Sequence, residues 1–187
     1  RTLWPLEPDV TFLNHGSFGA CPLPVLEAQG RYRMALERQP LRFFLREYAD
    51  LMDNAREVLC DLLGAHQGQL GFVTNATTGV NTVLRSLDLS EGDELLVTDH
   101  AYGACRRALE FVAQRAGAKV VVAPIPWPIT SPDDVVESVA RAISPRTRLA
   151  LIDHITSPTG LVLPLPQIVE QLHHHGIDVL VDGAHAP

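Results

Sequence analysis

Lysine is almost missing from these 187 residues: of the 15 basic side chains only Lys119 is a lysine and the rest are arginine. Any chemistry that needs a lysine nucleophile therefore has one candidate within the chain. Cysteine is scarce as well. Cys21, Cys60 and Cys105 lie far apart without C-x-x-C spacing, which suggests neither a disulfide framework nor a zinc site. Positive charge is in deficit, with 22 Asp and Glu giving a net charge of −7, so the electrostatic footprint of a nucleic-acid binder is lacking. The most apolar stretch, Val120 to Ile129, is broken by Pro124, Pro126 and Pro128. It falls short of the roughly 20 residues that a membrane span needs. Arg1 to Asp9 show no cationic segment leading into an apolar one, so the expectation is a cytoplasmic protein with neither membrane nor nucleic acid as partner.

What is present is ordinary globular composition, 46% hydrophobic and 20% charged, in a chain long enough for a well-buried core. Two textures divide it. Residues 1–63 open with a loop punctuated by Gly, Pro and Asn. They continue into helical stripes, Leu26, Tyr32 and Leu36 before Pro40, then Leu51, Val58, Leu59 and Leu62 before Gly64. Residues 64–187 alternate short apolar runs with amphipathic stretches. Strands are expected at Leu70–Thr74, Glu94–Thr98, Lys119–Ala123, Arg148–Asp153 and Ile177–Asp182. Helices are expected at Thr78–Ser86, Gly103–Ala116, Ser131–Ile143 and Leu165–His175. The runs L-L-V-T, V-V-V-A, L-A-L-I and V-L-V do not alternate, as strands covered on both faces of a parallel sheet should not. The fold class that follows is α/β, a three-layer, doubly wound, mainly parallel sheet with a helical N-terminal arm.

Open α/β sheets bind ligands outside the carboxyl ends of their strands. The expected strand ends are polar: Thr74-Asn75, Asp99-His100, Asp153-His154, and Asp182 with His185. Turn formation explains each of these alone, whereas four sets at one rim favour a site. T-N-A-T-T-G-V-N, Thr74 to Asn81, leads a strand into a helix through small residues and hydroxyls, a setting that suits a phosphate as well as a simple N-cap at Asn75 or Thr77. It is neither a P-loop nor G-x-G-x-x-G. Tyr102 stands at the same rim and could offer a ring face to a flat ligand. His173-His174-His175 precede Gly176 at a helix end, where imidazoles complement the helix dipole rather than bind metal.

F-L-N-H-G-S-F-G (Phe12 to Gly19), T-N-A-T-T-G-V-N, D-H-A-Y-G-A, I-T-S-P-T-G and V-D-G-A-H-A-P follow one another over nearly the whole chain. In this order they resemble the class V aminotransferase family of fold-type-I pyridoxal-phosphate enzymes, and within it the isopenicillin N epimerase-like members. The resemblance implies pyridoxal 5′-phosphate as cofactor, a homodimer, and an amino-acid-type substrate altered at its α-carbon. Residues 1–63 would belong to a small domain and 64–187 to an incomplete cofactor-binding large domain. By the same resemblance, Asn75, Ala76, Thr77 and Thr78 would hold the cofactor phosphate, and Tyr102 would stack on its ring. Asp153, Thr156 and Ser157 would lie on the ring's hydroxyl side. Asp182 and His185 would be catalytic, Asp182 pairing with the pyridine nitrogen, while His15 and Ser17 would border the substrate. The family's aldimine lysine follows the aspartate motif by about two dozen residues and would fall after Pro187.

Residue chemistry alone keeps other readings open. The Asp/His pairs at the strand ends suit a metal-dependent hydrolase, and a catalytically silent fragment is a third reading. Within pyridoxal-phosphate chemistry, a C–S lyase or cysteine desulfurase-like activity stands beside epimerisation.

Overall fold

The computed structural model describes residues 2–186 and divides into two compact units, Arg1–Gly71 and Phe72–Pro187. The first unit is helical: α1 (His15–Phe18), α2 (Leu23–Arg38), α3 (Pro40–Arg42) and α4 (Tyr48–Leu63), with a π-helical turn at Phe43–Glu47. Pro40 has no N–H with which to continue α2, and it opens α3 instead, where the Arg42 backbone N–H donates to Gln39 Oε1 across 3.2 Å. Phe43, Phe44 and Tyr48 pack ring against ring behind this break. Gly64 ends α4 at φ +65°, a left-handed conformation that glycine adopts without the Cβ clash.

The second unit alternates strand and helix after an opening helix: α5 (Ala76–Arg85), β1 (Glu94–Thr98), α6 (Gly103–Ala116), β2 (Lys119–Ala123), α7 (Pro132–Arg141), β3 (Thr147–Asp153), α8 (Leu165–His174) and β4 (Asp178–Asp182). The strands form one parallel sheet in the order β2-β1-β3-β4. Leu95, Val97, Leu149 and Leu151 join a core with Val80, Leu84, Cys105 and Leu109 of α5 and α6. Leu96, Ala150 and Ile152 face the opposite way and pack with Val135, Val139, Ile168 and Leu172 of α7 and α8. Successive residues of β1 and β3 thus serve two different cores, and this is why their sequences carry no polar alternation. Leu95, Leu96 and Val97 are fully buried, each contributing about 1.5–3 kcal/mol on burial. Ser131 caps α7 as expected, accepting from Asp133 N–H while Asp134 reaches back. No helix among the described residues is long and apolar enough to cross a membrane.

One expected element is corrected. Leu70–Thr74 is not a strand; it runs outside the sheet, whose edges are β2 and β4. Leu70 has extended dihedrals, but extension makes a strand only where a neighbouring strand supplies the ladder. An apolar run shows the first property and cannot show the second. The helix after it begins at Ala76, two residues earlier than expected.

Candidate functional site

In a parallel sheet every strand brings its last residue to the same rim. β1 delivers Asp99 and His100, β3 delivers Asp153, and β4 delivers Asp182. Asp99 turns to a structural task there, accepting the Ile125 backbone N–H across 2.9 Å and so tying the loop after β2 to the loop after β1. His100 joins the loop after β3 through Nδ1, 2.9 Å from Thr159 Oγ1, which is itself 2.7 Å from Thr156 Oγ1. Thr156 is buried and its hydroxyl also accepts from Leu161 N–H across 2.9 Å. Its side chain is therefore engaged within its own loop, while the adjacent Ser157 is exposed.

At the start of α5, Asn75 is the N-cap, and its Oδ1 accepts the Thr78 backbone N–H across 2.8 Å. The first N–H groups of a helix have no intrahelical acceptor. With Thr78 taken by the cap, Ala76 and Thr77 are the positions whose amides remain for an anion at the positive end of the helix. The Thr78 hydroxyl is held by Thr74 Oγ1 at 3.1 Å. The Thr77 hydroxyl stands near the Cys105 sulfur and opposes the rise of its pKa. The plain N-cap and the anion cradle are thus compatible: Asn75 does the first and leaves its neighbours for the second.

Asp182 is buried and held on both oxygens. The Cys105 thiol donates to Oδ2 across 3.1 Å, and the Ala184 backbone N–H donates to Oδ1 across 3.1 Å. Burial and the neighbouring Asp182 carboxylate push the Cys105 thiol up to about 12, so it stays a donor. Asp153 stands beside Asp182 in the β3–β4 register. Its Oδ2 accepts the Tyr102 N–H across 3.2 Å, whereas its Oδ1 is buried without a hydrogen-bond partner. Burial first, and the Asp182 charge second, push Asp153 up to about 6. Tyr102 is the N-cap of α6, and its side chain is exposed at the rim.

Asn75, Ala76, Thr77, Thr78, Tyr102, Asp153 and Asp182 thus belong to elements that meet at one rim of the second unit. His185 lies in the turn after β4 and is exposed. His15 and Ser17 belong to α1 of the first unit, where His15 meets the Phe12 ring edge-on at 4.7 Å and the Trp4 ring at 5.9 Å. The strand-end Asp and His residues do not converge as metal ligands: among the described residues, no three His, Cys, Asp or Glu side chains are grouped to hold an ion. Two participants escaped the sequence. Thr159 stands in the I-T-S-P-T-G run without a role of its own, and Cys105 gave only its place in the first turn of a helix that starts at the rim.

An anion cradle, an exposed ring and a pair of buried carboxylates suit a ligand with a phosphate at one end and a basic nitrogen at the other. Comparison with known proteins points the same way. The family model for aminotransferase class V matches residues 20–186. Isopenicillin N epimerase of Amycolatopsis lactamdurans is 42% identical over 186 residues, which cover 97% of this chain and 46% of that protein. A probable chloroplastic L-cysteine desulfhydrase of Arabidopsis thaliana is 33% identical over 194 residues, covering 96% of this chain and 41% of that one. Among solved structures, a lysine-to-alanine mutant of C-DES with glycine covalently linked to the PLP cofactor superposes with a TM-score of 0.89 at 27% identity, covering 100% of this chain and 50% of that one. The cystine C–S lyase C-DES in complex with cysteine persulfide gives the same TM-score at 28% identity, over 96% of this chain and 48% of that chain. The chain spans about half the length of the relatives it matches.

Proposed function

The chain belongs to the class V aminotransferase family, and on that premise we propose that it supplies the cofactor-binding part of a pyridoxal 5′-phosphate enzyme acting at the α-carbon of an amino-acid-type substrate. The observation that carries this function is the meeting of the α5 N-terminus with the buried Asp182 at one rim, bridged by Cys105. The residues fit the group. Ala76 and Thr77 offer amides to a phosphate dianion. Two buried carboxylates, one with an oxygen that no donor reaches, favour a protonated ring nitrogen beside them. When bound, the group supplies an electron sink for a carbanion at the substrate α-carbon.

The chain's own side chains do the rest. Thr77 and Thr78 fix the phosphate end. Tyr102 covers one ring face, with its backbone held by Asp153. Asp182 keeps a proton on the ring nitrogen, and Cys105 and Ala184 keep Asp182 from rotating away. We assign Thr156 and Ser157 to the ring's hydroxyl side, His185 to the cofactor's edge, and His15 and Ser17 to the substrate; Asp153, which the resemblance also put on the hydroxyl side, we assign to the nitrogen side instead, because it pairs in register with Asp182. The relative at 42% identity favours an epimerase-like reaction. A C–S lyase is the second reading, favoured by the close superposition on C-DES. A second copy of this chain is the proposed partner, consistent with the exposed Leu41, Leu45 and Leu62 of the first unit. The free thiols Cys21, Cys60 and Cys105 accord with a cytoplasmic setting.

Titration of the intact protein with pyridoxal phosphate, followed by its absorbance, tests the cofactor. Deuterium uptake at the substrate α-carbon without sulfide release would support epimerisation, and stoichiometric sulfide would support the lyase. Failure of the cofactor to bind would overturn both.

A further inference from the structure

Asp153 and Asp182 end adjacent parallel strands, directly paired in register. By strand alternation both side chains lie on the sheet face of Leu151 and Leu180, the face covered by α5 and α6. Asp153 is 2% exposed and Asp182 5%. Neighbouring strands run about 4.8 Å apart, so two buried carboxyl groups are held side by side. The groups that act on Asp153 are Asp182 from β4, the Tyr102 backbone N–H from the α6 cap and, from α6 itself, the Cys105 thiol. Among the described residues no cation stands with them. Burial and mutual repulsion already hold Asp153 up at about 6. Asp182 has a donor on each oxygen, whereas Asp153 Oδ1 has none.

When both are ionised, such a pair carries two negative charges with no cation beside it among the described residues. Bringing a single cation beside it relieves the repulsion of two carboxylates, more than Asp182 alone could offer. We propose that Asp153 is a positioning residue for the ring nitrogen's proton: acting through Asp182, its charge raises the proton affinity of the bound heterocycle, so that two carboxylates serve one pyridinium. This rests on pyridoxal phosphate being the ligand. Linkage makes the effect reciprocal: the cation that Asp153 stabilises must in turn loosen the proton on Asp153.

The test uses the intact protein loaded with ¹⁵N-labelled pyridoxal phosphate. In Asp153→Asn the ring nitrogen is expected to bind its proton at least tenfold more weakly than in wild type, read from the pH dependence of its ¹⁵N shift. Asparagine retains a carbonyl oxygen for the Tyr102 N–H, so a purely structural role would leave that affinity unmoved. An unchanged affinity would overturn the proposal. A second measurement needs no substitution. The ¹³C carboxyl signal of Asp153 in wild type should titrate near pH 6 without cofactor and well below that with it. An Asp153 titration that cofactor binding does not shift would overturn the proposal even if the asparagine variant failed to fold. Wild type that bound no cofactor would remove the cofactor reading and this inference together, whereas binding with both titrations unmoved would remove the inference alone.

Discussion

The Cys105 thiol donates to Oδ2 of Asp182 across 3.1 Å, joining the first turn of α6 to the last residue of β4 inside the protein. The sulfur is fully buried and also lies near the Thr77 hydroxyl. One side chain thereby ties the start of α5, where a phosphate would sit, to the carboxylate that would meet a ring nitrogen. Removing the donor leaves a buried carboxylate oxygen short of a partner, at a cost of about 1–3 kcal/mol. Cys105→Ala should lose that much stability in urea unfolding, and Cys105→Ser, which keeps a donor, should lose less. Equal stability in the two variants would mean that the Ala184 N–H alone orients Asp182.

Asp182→Asn should still fold, because an amide of the same shape keeps an acceptor for Ala184 or Cys105. It should bind cofactor and lose most turnover. A unit charge about 4 Å from another at an effective dielectric of 20 contributes roughly 4 kcal/mol before desolvation is subtracted. Steady-state kinetics of the full-length variant measures this, and near-normal kcat would reduce Asp182 to a turn residue.

Without cofactor, Asp153 should make stability depend on pH. Its carboxyl is held at about 6 in the fold against an ordinary 3.8, so the folded state binds the proton more tightly than the unfolded chain. The contribution is fully present below about pH 4 and is lost as the pH rises through about 6, an effect of up to about 3 kcal/mol. Urea midpoints of the cofactor-free protein should fall over that window. Asp153→Asn should flatten the fall, and a variant with the wild-type slope would place the titrating group elsewhere.

Much of this architecture is written in the sequence because both periodicity and parallelism leave marks. Leu95 and Leu96 are both apolar since each faces a different core, and a parallel sheet then sends Asp153 and Asp182 to one rim without further information. Leu70–Thr74 looks like a strand and is not one, because ladder pairing belongs to two segments and an apolar run displays only its own. Cys105 was invisible for a related reason: its partner Asp182 lies 77 residues away, and no local pattern distinguishes a thiol that orients a carboxylate from one that fills a gap. Tyr102 was legible as a rim residue, but the contact of its backbone with Asp153 was not.

The α5 N-terminus should respond to two substitutions in different ways. Asn75→Ala removes the acceptor of the Thr78 N–H and should cost about 1 kcal/mol of stability, weakening phosphate binding through a loosened turn. Thr77→Val keeps the shape and removes one hydroxyl, so it should weaken pyridoxal phosphate binding at nearly wild-type stability. Paired thermal melts and cofactor titrations separate the two. Cofactor affinity unchanged in Thr77→Val would withdraw that side chain from the site.

Lys119 should form no covalent bond to the cofactor. It opens β2, pairs in register with Glu94 at the amino end of β1, and is exposed there. The rim of Asp153 and Asp182 lies at the opposite, carboxyl end of the same parallel sheet. A five-residue strand at about 3.3 Å per residue separates the two ends by roughly 16 Å, beyond the reach of a lysine side chain while the sheet stays folded. The Lys119 backbone N–H is also fixed, donating to the Asp93 carbonyl across 2.8 Å, so the strand cannot slide to shorten that distance without breaking its own ladder. Borohydride reduction in the presence of pyridoxal phosphate, followed by peptide mapping, should leave Lys119 unlabelled under native conditions. Stoichiometric labelling there would mean either that the cofactor sits at the amino end of the sheet or that the sheet opens to admit it, and either result would dismantle the site built on Asp182.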